Sequence, residues 1–154
     1  MKALITECFG LGRVPVAPGT AASAAAIVIA FLLHIAGGVI PVILATALSI
    51  LAGFLCITEI EDDPPHVVID EVAGQLIAVL PVSITAGTMP VAAQATLWVA
   101  AFLLFRLFDI WKPGLIGRAE RAGGAAGIML DDVLAGALSA VILLSIIAGT
   151  ALIR

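Results

Sequence analysis

Long runs of apolar residues alternate with short polar breaks along the chain. The runs cover five stretches, at 21–36, 39–57, 72–86, 91–105 and 128–153. None alternates with the period of two expected of a half-buried strand, and all are rich in Ala and Leu, which favour helices. The pattern predicts an all-α fold, a compact bundle of about five to six helices formed by one domain over residues 1–154.

The predicted helices are suited to a membrane. The chain is 62% hydrophobic and 12% charged, and its mean hydropathy of +1.24 lies outside the range of soluble domains. Crossing the hydrocarbon core takes about 20 apolar residues, a length that only the second and fifth stretches meet convincingly by themselves. The other three are expected to tilt, re-enter or pack inside the bundle, so several helices are transmembrane or membrane-embedded.

The basic residues are distributed unevenly about these stretches. If all five cross, the segments before Ala21, at 58–71 and at 106–126 share one face of the membrane. That face carries six of the seven basic residues: Lys2, Arg13, Arg106, Lys112, Arg118 and Arg121. The positive-inside rule makes it cytoplasmic. The net charge of −4, without a basic stripe, excludes nucleic acid as a partner.

The charged residues that could carry chemistry fall in short blocks at the mouths of the apolar stretches. Charges beside apolar helices are costly unless they pair, bind metal or take part in a reaction. The first candidate is the loop 10–20, where glycines, Arg13 and a helix N-terminus could hold a phosphate oxygen. The alternative is a proline-stiffened loop in which Thr20 caps the helix.

The second block, 63–71, contains three acids. Asp63 precedes Pro64, which is typical of a helix cap followed by a first-turn proline, although Asp63 is also a candidate metal ligand. Asp70 and Glu71 are expected about two turns into that helix. Adjacent helical residues point about 100° apart, so one of the pair is expected to be a ligand and the other a supporting partner.

The last two blocks combine acids with cations. Arg106 and Asp109 have the spacing of a helical ion pair, and Lys112 adds a second cation suited to an anionic substrate. Asp131 and Asp132 are predicted to open the longest apolar helix, either as dipole-stabilising residues or as ligands of a hard cation. Oxygen-only sites of this kind suit Mg²⁺.

Four strings, in order, resemble the phosphatidylglycerophosphatase A family over about residues 10–136. They are Gly12-Arg13 with Ala17-Pro18-Gly19-Thr20; Asp63-Pro64 and Val68-Ile69-Asp70-Glu71 with Gly74; Phe105-Arg106 with Phe108-Asp109-Ile110-Trp111-Lys112-Pro113; and Gly127-Ile128-Met129-Leu130-Asp131-Asp132 with Ala135-Gly136. Any one string is weak, but four in order are specific.

The resemblance implies Mg²⁺-dependent hydrolysis of phosphatidylglycerophosphate to phosphatidylglycerol and inorganic phosphate in the bacterial inner membrane, with the active site facing the cytoplasm. We expect the catalytic residues to be Asp70, Glu71, Asp109 and Asp132. Substrate binding is expected from Arg13, Thr20, Arg106 and Lys112, and metal binding from Asp63, Asp70, Asp131 and Asp132.

Two other classes of protein share parts of this pattern. A small ion or proton transporter subunit also places carboxylates among apolar helices, although it would hold them near the middle of the membrane. A structural membrane subunit needs only packing faces. The sequence leaves open whether water or an aspartate attacks the phosphate, and it leaves the oligomeric state open.

Overall fold

A computed structural model describes residues 1–57 and 64–152, and within these ranges the fold is all-helical, as predicted. The elements are α1 (Lys2–Thr6), a 3₁₀ segment (Cys8–Arg13), α2 (Pro18–Gly37), α3 (Val39–Cys56), α4 (Ile69–Ile84), α5 (Val91–Trp111), α6 (Leu115–Ala122) and α7 (Gly124–Leu152). Five of these helices are long, whereas α1 and α6 are short.

Within the described residues, four helices, α2, α3, α5 and α7, are long and apolar enough to cross a membrane. Both α2 and α5 are longer than their apolar runs, because α2 begins already at Pro18 and α5 continues through Arg106 to Trp111. Large apolar side chains such as Val28, Leu48 and Val141 point outward on these helices. An apolar exterior of this extent is typical of a surface that contacts lipid.

The shorter α4 lies at the centre of the bundle, where it packs against α2, α3, α5 and α7. Its fit depends on small residues. A Cβ atom on Gly74 would lie 2.6 Å from the carbonyl oxygen of Asp132, and one on Gly136 would lie 3.0 Å from the carbonyl carbon of Gly74. The backbones of α4 and α7 therefore touch at this crossing, which is the close approach that small residues permit between membrane helices.

One end of the bundle collects the charged residues, and we call it the charged end. Contacts between α2, α4, α5 and α7 bring together the N-terminal parts of α2, α4 and α7 and the C-terminal part of α5. The C-terminal half of α3 also lies there, since Gly53 contacts Met129. The long helices thus run alternately away from and toward the charged end.

The starts of α2 and α4 differ from those predicted. Helix α2 begins at Pro18 after Ala17, which has a left-handed conformation, so Thr20 lies within the first turn and is not the cap. Helix α4 begins at Ile69, which puts Asp70 and Glu71 in its first turn instead of two turns along. The preceding segment is kept out of the helix by a hydrogen bond from the Val68 amide to the Thr6 carbonyl, 2.9 Å long.

The start of α7 differs as well. The helix begins at Gly124, about two turns before Asp131 and Asp132, so these acids do not open it. The glycine-rich stretch before them is helical from Gly124 onward, and the Gly127 amide bonds to the Gly123 carbonyl at 3.0 Å. Asp131 and Asp132 are consequently held by a rigid helix and not by a loop.

Candidate active site

Three carboxylates from two helices converge at the charged end. Asp70, Glu71 and Asp132 each offer one oxygen, and these three oxygens lie within 4.8 Å of one another. Asp70 and Asp132 are buried, and Glu71 is half-buried. Both members of the adjacent pair on α4 reach the cluster. We call these residues the three-acid cluster.

The contact between Gly74 and Gly136 sets the position of this cluster. Asp132 lies one helical turn before Gly136 on α7, and Asp70 lies one turn before Gly74 on α4. Because the two glycines let the backbones touch, the short aspartate side chains meet across the helix interface.

The N-terminus of α2 borders the cluster. A Cβ atom on Gly19 would overlap Oε1 of Glu71, so only glycine lets that carboxylate approach the first turn of α2. The positive end of the helix dipole favours negative charge at this place. Gly19 thus has a specific steric role, which the sequence indicated only as part of the string 17–20.

A second group links α5 to the cluster. Arg106 Nη1 donates to Asp109 Oδ2, which confirms the predicted ion pair. The same Nη1 atom lies 3.4 Å from Ser23 Oγ. Ser23 is fully buried and donates to the Gly19 carbonyl at 2.8 Å. Asp109 also faces Asp132. Arg106 therefore connects α2 with α5, while Asp109 lies between Arg106 and the three-acid cluster.

Asp131 lies in a separate arrangement. Lys112 Nζ donates to Asp131 Oδ2 at 2.8 Å and to Glu120 Oε1 at 2.7 Å, joining α5, α6 and α7. Burial lowers the pKa of Lys112, but the hydrogen bonds and charges of Asp131 and Glu120 together raise it by more. The pKa of Lys112 therefore lies above its ordinary value. Asp131 thus has a compensating cation that its sequence neighbourhood did not reveal, and the three-acid cluster does not include it.

The other predicted residues lie farther out or outside the described ranges. Arg13 is 75% exposed and pairs with Glu7 Oε2 at 2.6 Å, a bond that lowers the pKa of Glu7. Thr20 is half-buried beside Gly19. Asp63 falls in the range 58–63, outside the described residues.

The charge balance of the site calls for a cation. Asp70, Glu71, Asp109 and Asp132 are close together, and Arg106 forms an ion pair with Asp109 beside them. Burial raises the pKa of Glu71 to about 7, and the charge of Asp109 also raises it. Oε2 of Glu71 is buried and has no hydrogen-bond partner among residues 1–57 and 64–152. An oxygen-only donor set with excess negative charge fits Mg²⁺.

Gln75 is a polar residue that the sequence analysis did not single out. It lies one turn after Glu71 on α4 and is fully buried, and neither polar atom of its amide has a partner within the described ranges. Buried polar groups normally have partners, so an unpaired amide beside the acids is a candidate for contact with a bound molecule. A lone amide within the apolar run 72–80 was the available signal.

A family model and two of the related proteins identify one family. The family model described as phosphatidylglycerophosphatase A matches residues 4–147. A Bacteroides thetaiotaomicron protein, provisionally named a phosphatidylinositol-3-phosphatase, is 34% identical over 93% of this chain and 91% of its own length. Phosphatidylglycerophosphatase A of Escherichia coli K12 is 35% identical over 91% of this chain and 80% of its own. The Haemophilus influenzae Rd protein of the same name is 33% identical, over 93% and 86% respectively. No solved structure matches the chain significantly.

Proposed function

Because the chain belongs to the phosphatidylglycerophosphatase A family and is therefore a phosphatase, we propose that its substrate is phosphatidylglycerophosphate and its cofactor Mg²⁺. The products would be phosphatidylglycerol and inorganic phosphate. The names of the related proteins all describe hydrolysis of a phosphate monoester on a membrane lipid. This chemistry suits a site at the mouth of an apolar helical bundle.

The observation that carries the proposal is the convergence of Asp70, Glu71 and Asp132 beside Arg106 at the charged end. Phosphoryl transfer depends mainly on positioning the phosphate and neutralising its charge. Acids alone would repel a phosphate dianion, so the site needs both the arginine and a bound cation.

We assign the metal to the three-acid cluster. Asp70, Glu71 and Asp132 would hold it, and Mg²⁺ bound there would neutralise phosphate charge and orient the phosphate oxygens. The unpaired Oε2 of Glu71 supports this assignment, as does the oxygen-only composition of the cluster. Asp131 and Asp63 remain further candidate ligands, Asp131 only with release of its bond to Lys112.

Arg106 is the proposed phosphate-binding residue. Its guanidinium is fixed by Asp109, and its Nε is buried without an acceptor in the described part of the chain, so a donor is left for a phosphate oxygen. Thr20 lies in the first turn of α2, where backbone amides face outward and favour an anion. Arg13 and Lys112 would add positive charge around the mouth of the site.

Asp109 is the proposed proton acceptor for the attacking water. Its position between Arg106 and Asp132 keeps it next to the phosphate while it lies outside the three-acid cluster. The ester bond from phosphorus to the glycerol oxygen breaks, water supplies the new phosphate oxygen, and its proton passes through Asp109 toward the leaving oxygen. An attacking aspartate, the alternative, would leave a phosphorylated enzyme that can be trapped.

The chain is a membrane protein, and we propose that it lies in the bacterial inner membrane with the charged end toward the cytoplasm. The basic residues in the described ranges support this orientation. Lys2 lies on α1, Arg13 on the 3₁₀ segment, and Arg118 and Arg121 on α6. Arg106 lies in the C-terminal part of α5, and Lys112 directly follows that helix.

The test is phosphate release from phosphatidylglycerophosphate in detergent, with Mg²⁺ and then with EDTA. We expect Mg²⁺-dependent release that Asp132→Asn lowers by roughly 100-fold or more. The control is Glu120→Gln, an acid on α6 outside the three-acid cluster. Phosphatidylinositol 3-phosphate, assayed in parallel, tests the selectivity suggested by the name of one relative.

Metal binding is measured separately, so that it does not depend on turnover. Mn²⁺ is the probe, and its bound fraction is read by electron paramagnetic resonance. We expect Asp132→Asn to weaken binding while Glu120→Gln leaves it unchanged. If folded protein releases no phosphate from phosphatidylglycerophosphate with any divalent ion, the proposed substrate is wrong.

A further inference from the structure

An apolar groove runs along the lipid-facing side of the bundle between α2 and α5. Its volume is about 470 Å³. Its walls include Ala24, Val28 and Phe31 of α2 and Ala95, Trp98 and Phe102 of α5. Every residue lining it is apolar, and both helices qualify as membrane spans. These walls suit a hydrocarbon and offer nothing to a polar headgroup.

The groove begins next to the candidate active site. Ala24 directly follows Ser23, whose Oγ lies 3.4 Å from Arg106 Nη1, and Phe102 lies one turn before Arg106 on α5. From there the groove extends along α2 to Phe31, a distance of about 10 Å at the helical rise per residue. Phe31 packs edge-on against Trp98 at 5.5 Å in the part farther from Arg106.

We propose that this groove holds one acyl chain of the lipid substrate while the phosphate monoester lies at Arg106. The inference rests on the proposed function and deepens it by assigning a place to the hydrophobic part of the substrate. Two observations fix the occupant. The groove begins one helical turn from Arg106, which would hold the phosphate, and both helices that line it qualify as membrane spans.

The benefit of the groove is orientation and not burial of apolar surface. An acyl chain moving from the bilayer into the groove exchanges one apolar surrounding for another, so little hydrophobic free energy is gained. A chain held beside α2 and α5 nevertheless restricts the headgroup to the region of Arg106, and correct positioning of reacting groups accelerates reactions strongly. The effect should therefore be present for long-chain substrate and absent for a headgroup without chains.

Two substitutions fill the groove from opposite walls. Ala95→Phe narrows it from α5, about 11 residues before Arg106, and Val28→Trp narrows it from α2. The matched controls, Ala47→Phe and Leu48→Trp, make the same kinds of change at exposed positions of α3. Each variant is assayed with long-chain phosphatidylglycerophosphate in detergent and with its water-soluble deacylated headgroup.

We expect the groove variants to lower kcat/KM for the long-chain lipid by roughly tenfold, with kcat/KM for the soluble headgroup unchanged. The α3 controls should match the unaltered protein on both substrates. Equal loss on both substrates would overturn the inference, because the variants would then act on the polar site. So would unchanged rates, which would show that the groove holds only bulk lipid.

A binding measurement separates this inference from the proposed function. In a Trp111→Phe background, Trp98 in the groove reports lipid contact through quenching by brominated acyl chains. We expect brominated phosphatidylglycerophosphate to quench Trp98 more than brominated phosphatidylcholine does at equal mole fraction, whether or not turnover occurs. Equal quenching by the two lipids would overturn the groove assignment, whereas absence of turnover would refute only the proposed hydrolysis of phosphatidylglycerophosphate.

Discussion

Gly136→Ala tests whether the α4–α7 contact positions the acids of the three-acid cluster. A Cβ atom there would lie 3.0 Å and 3.1 Å from the carbonyl carbon and Cα of Gly74, and would overlap the Gly74 carbonyl oxygen. All three are backbone atoms, so no side-chain rotation relieves the clash. Ordinary contact begins at 3.4 Å, and the oxygen is closer still, so α7 must move away from α4 by about 1 Å.

The expected cost falls on activity more than on stability. Overpacking costs about 1–3 kcal/mol, and the better helix propensity of Ala returns about 1 kcal/mol, which leaves a net loss of roughly 0–2 kcal/mol. Asp132 lies one turn from Gly136 and moves with α7, away from Asp70 and Glu71. A misplacement of about 1 Å in an active site can cost about 100-fold in rate.

The assay is phosphate release in detergent together with thermal unfolding. Gly149→Ala is the control, because it lies on the same helix with no atom within 4 Å of its added Cβ. We expect Gly136→Ala to stay folded and to lose about 100-fold in kcat, and Gly149→Ala to keep its rate. A Gly136→Ala protein as active as the unaltered chain would refute the idea that backbone contact sets the cluster.

Three further predictions concern stability in detergent. Lys112→Met leaves buried Asp131 without its cation and should lower the free energy of unfolding by about 2 kcal/mol. The loss is smaller than for a fully buried pair because the Lys112 side chain is 22% exposed. Adding Asp131→Asn to Lys112→Met should restore most of the lost stability, and additive losses would contradict the pairing. The pKa of Glu71, about 7 against 4.5, makes cation-free folded protein bind its proton more tightly than unfolded protein, so the unfolding temperature should fall as pH rises between these values. Glu71→Gln should reduce this slope in a pH series, and an unchanged slope would assign it to other groups. A Cβ on Gly12 would overlap the backbone carbonyl of His66, so Gly12→Ala should lower the unfolding temperature, and an unchanged value would count against this contact.

The sequence predicted those features that depend on local pattern. Ala-rich and Leu-rich runs gave the helical class, and the spacing of Arg106 and Asp109 gave their ion pair. The grouping of acids at the mouths of the apolar runs predicted the charged end, because alternate crossings return those mouths to one side.

Features that depend on contacts distant in sequence were not predicted. Helix α4 begins at Ile69 because the Val68 amide bonds to Thr6 in another element. Asp131 accepts a hydrogen bond from Lys112, which follows α5 in a left-handed conformation. The chain changes direction there, so that α6 and α7 pack beside Lys112. The approach of Glu71 to Gly19 joins residues 52 positions apart, and no local spacing indicates it.

The central position of α4 has a consequence for biogenesis. Helix α4 has 16 residues with two acids in its first turn, and it is not among the helices that qualify as membrane spans by themselves. It therefore depends on flanking helices to enter the bilayer with its acids at the surface. Asp132, the third acid, arrives only with α7, the last helix described. During synthesis the nascent chain accordingly lacks the complete three-acid cluster until α7 has been inserted, so under the proposed function activity begins only with the assembled bundle.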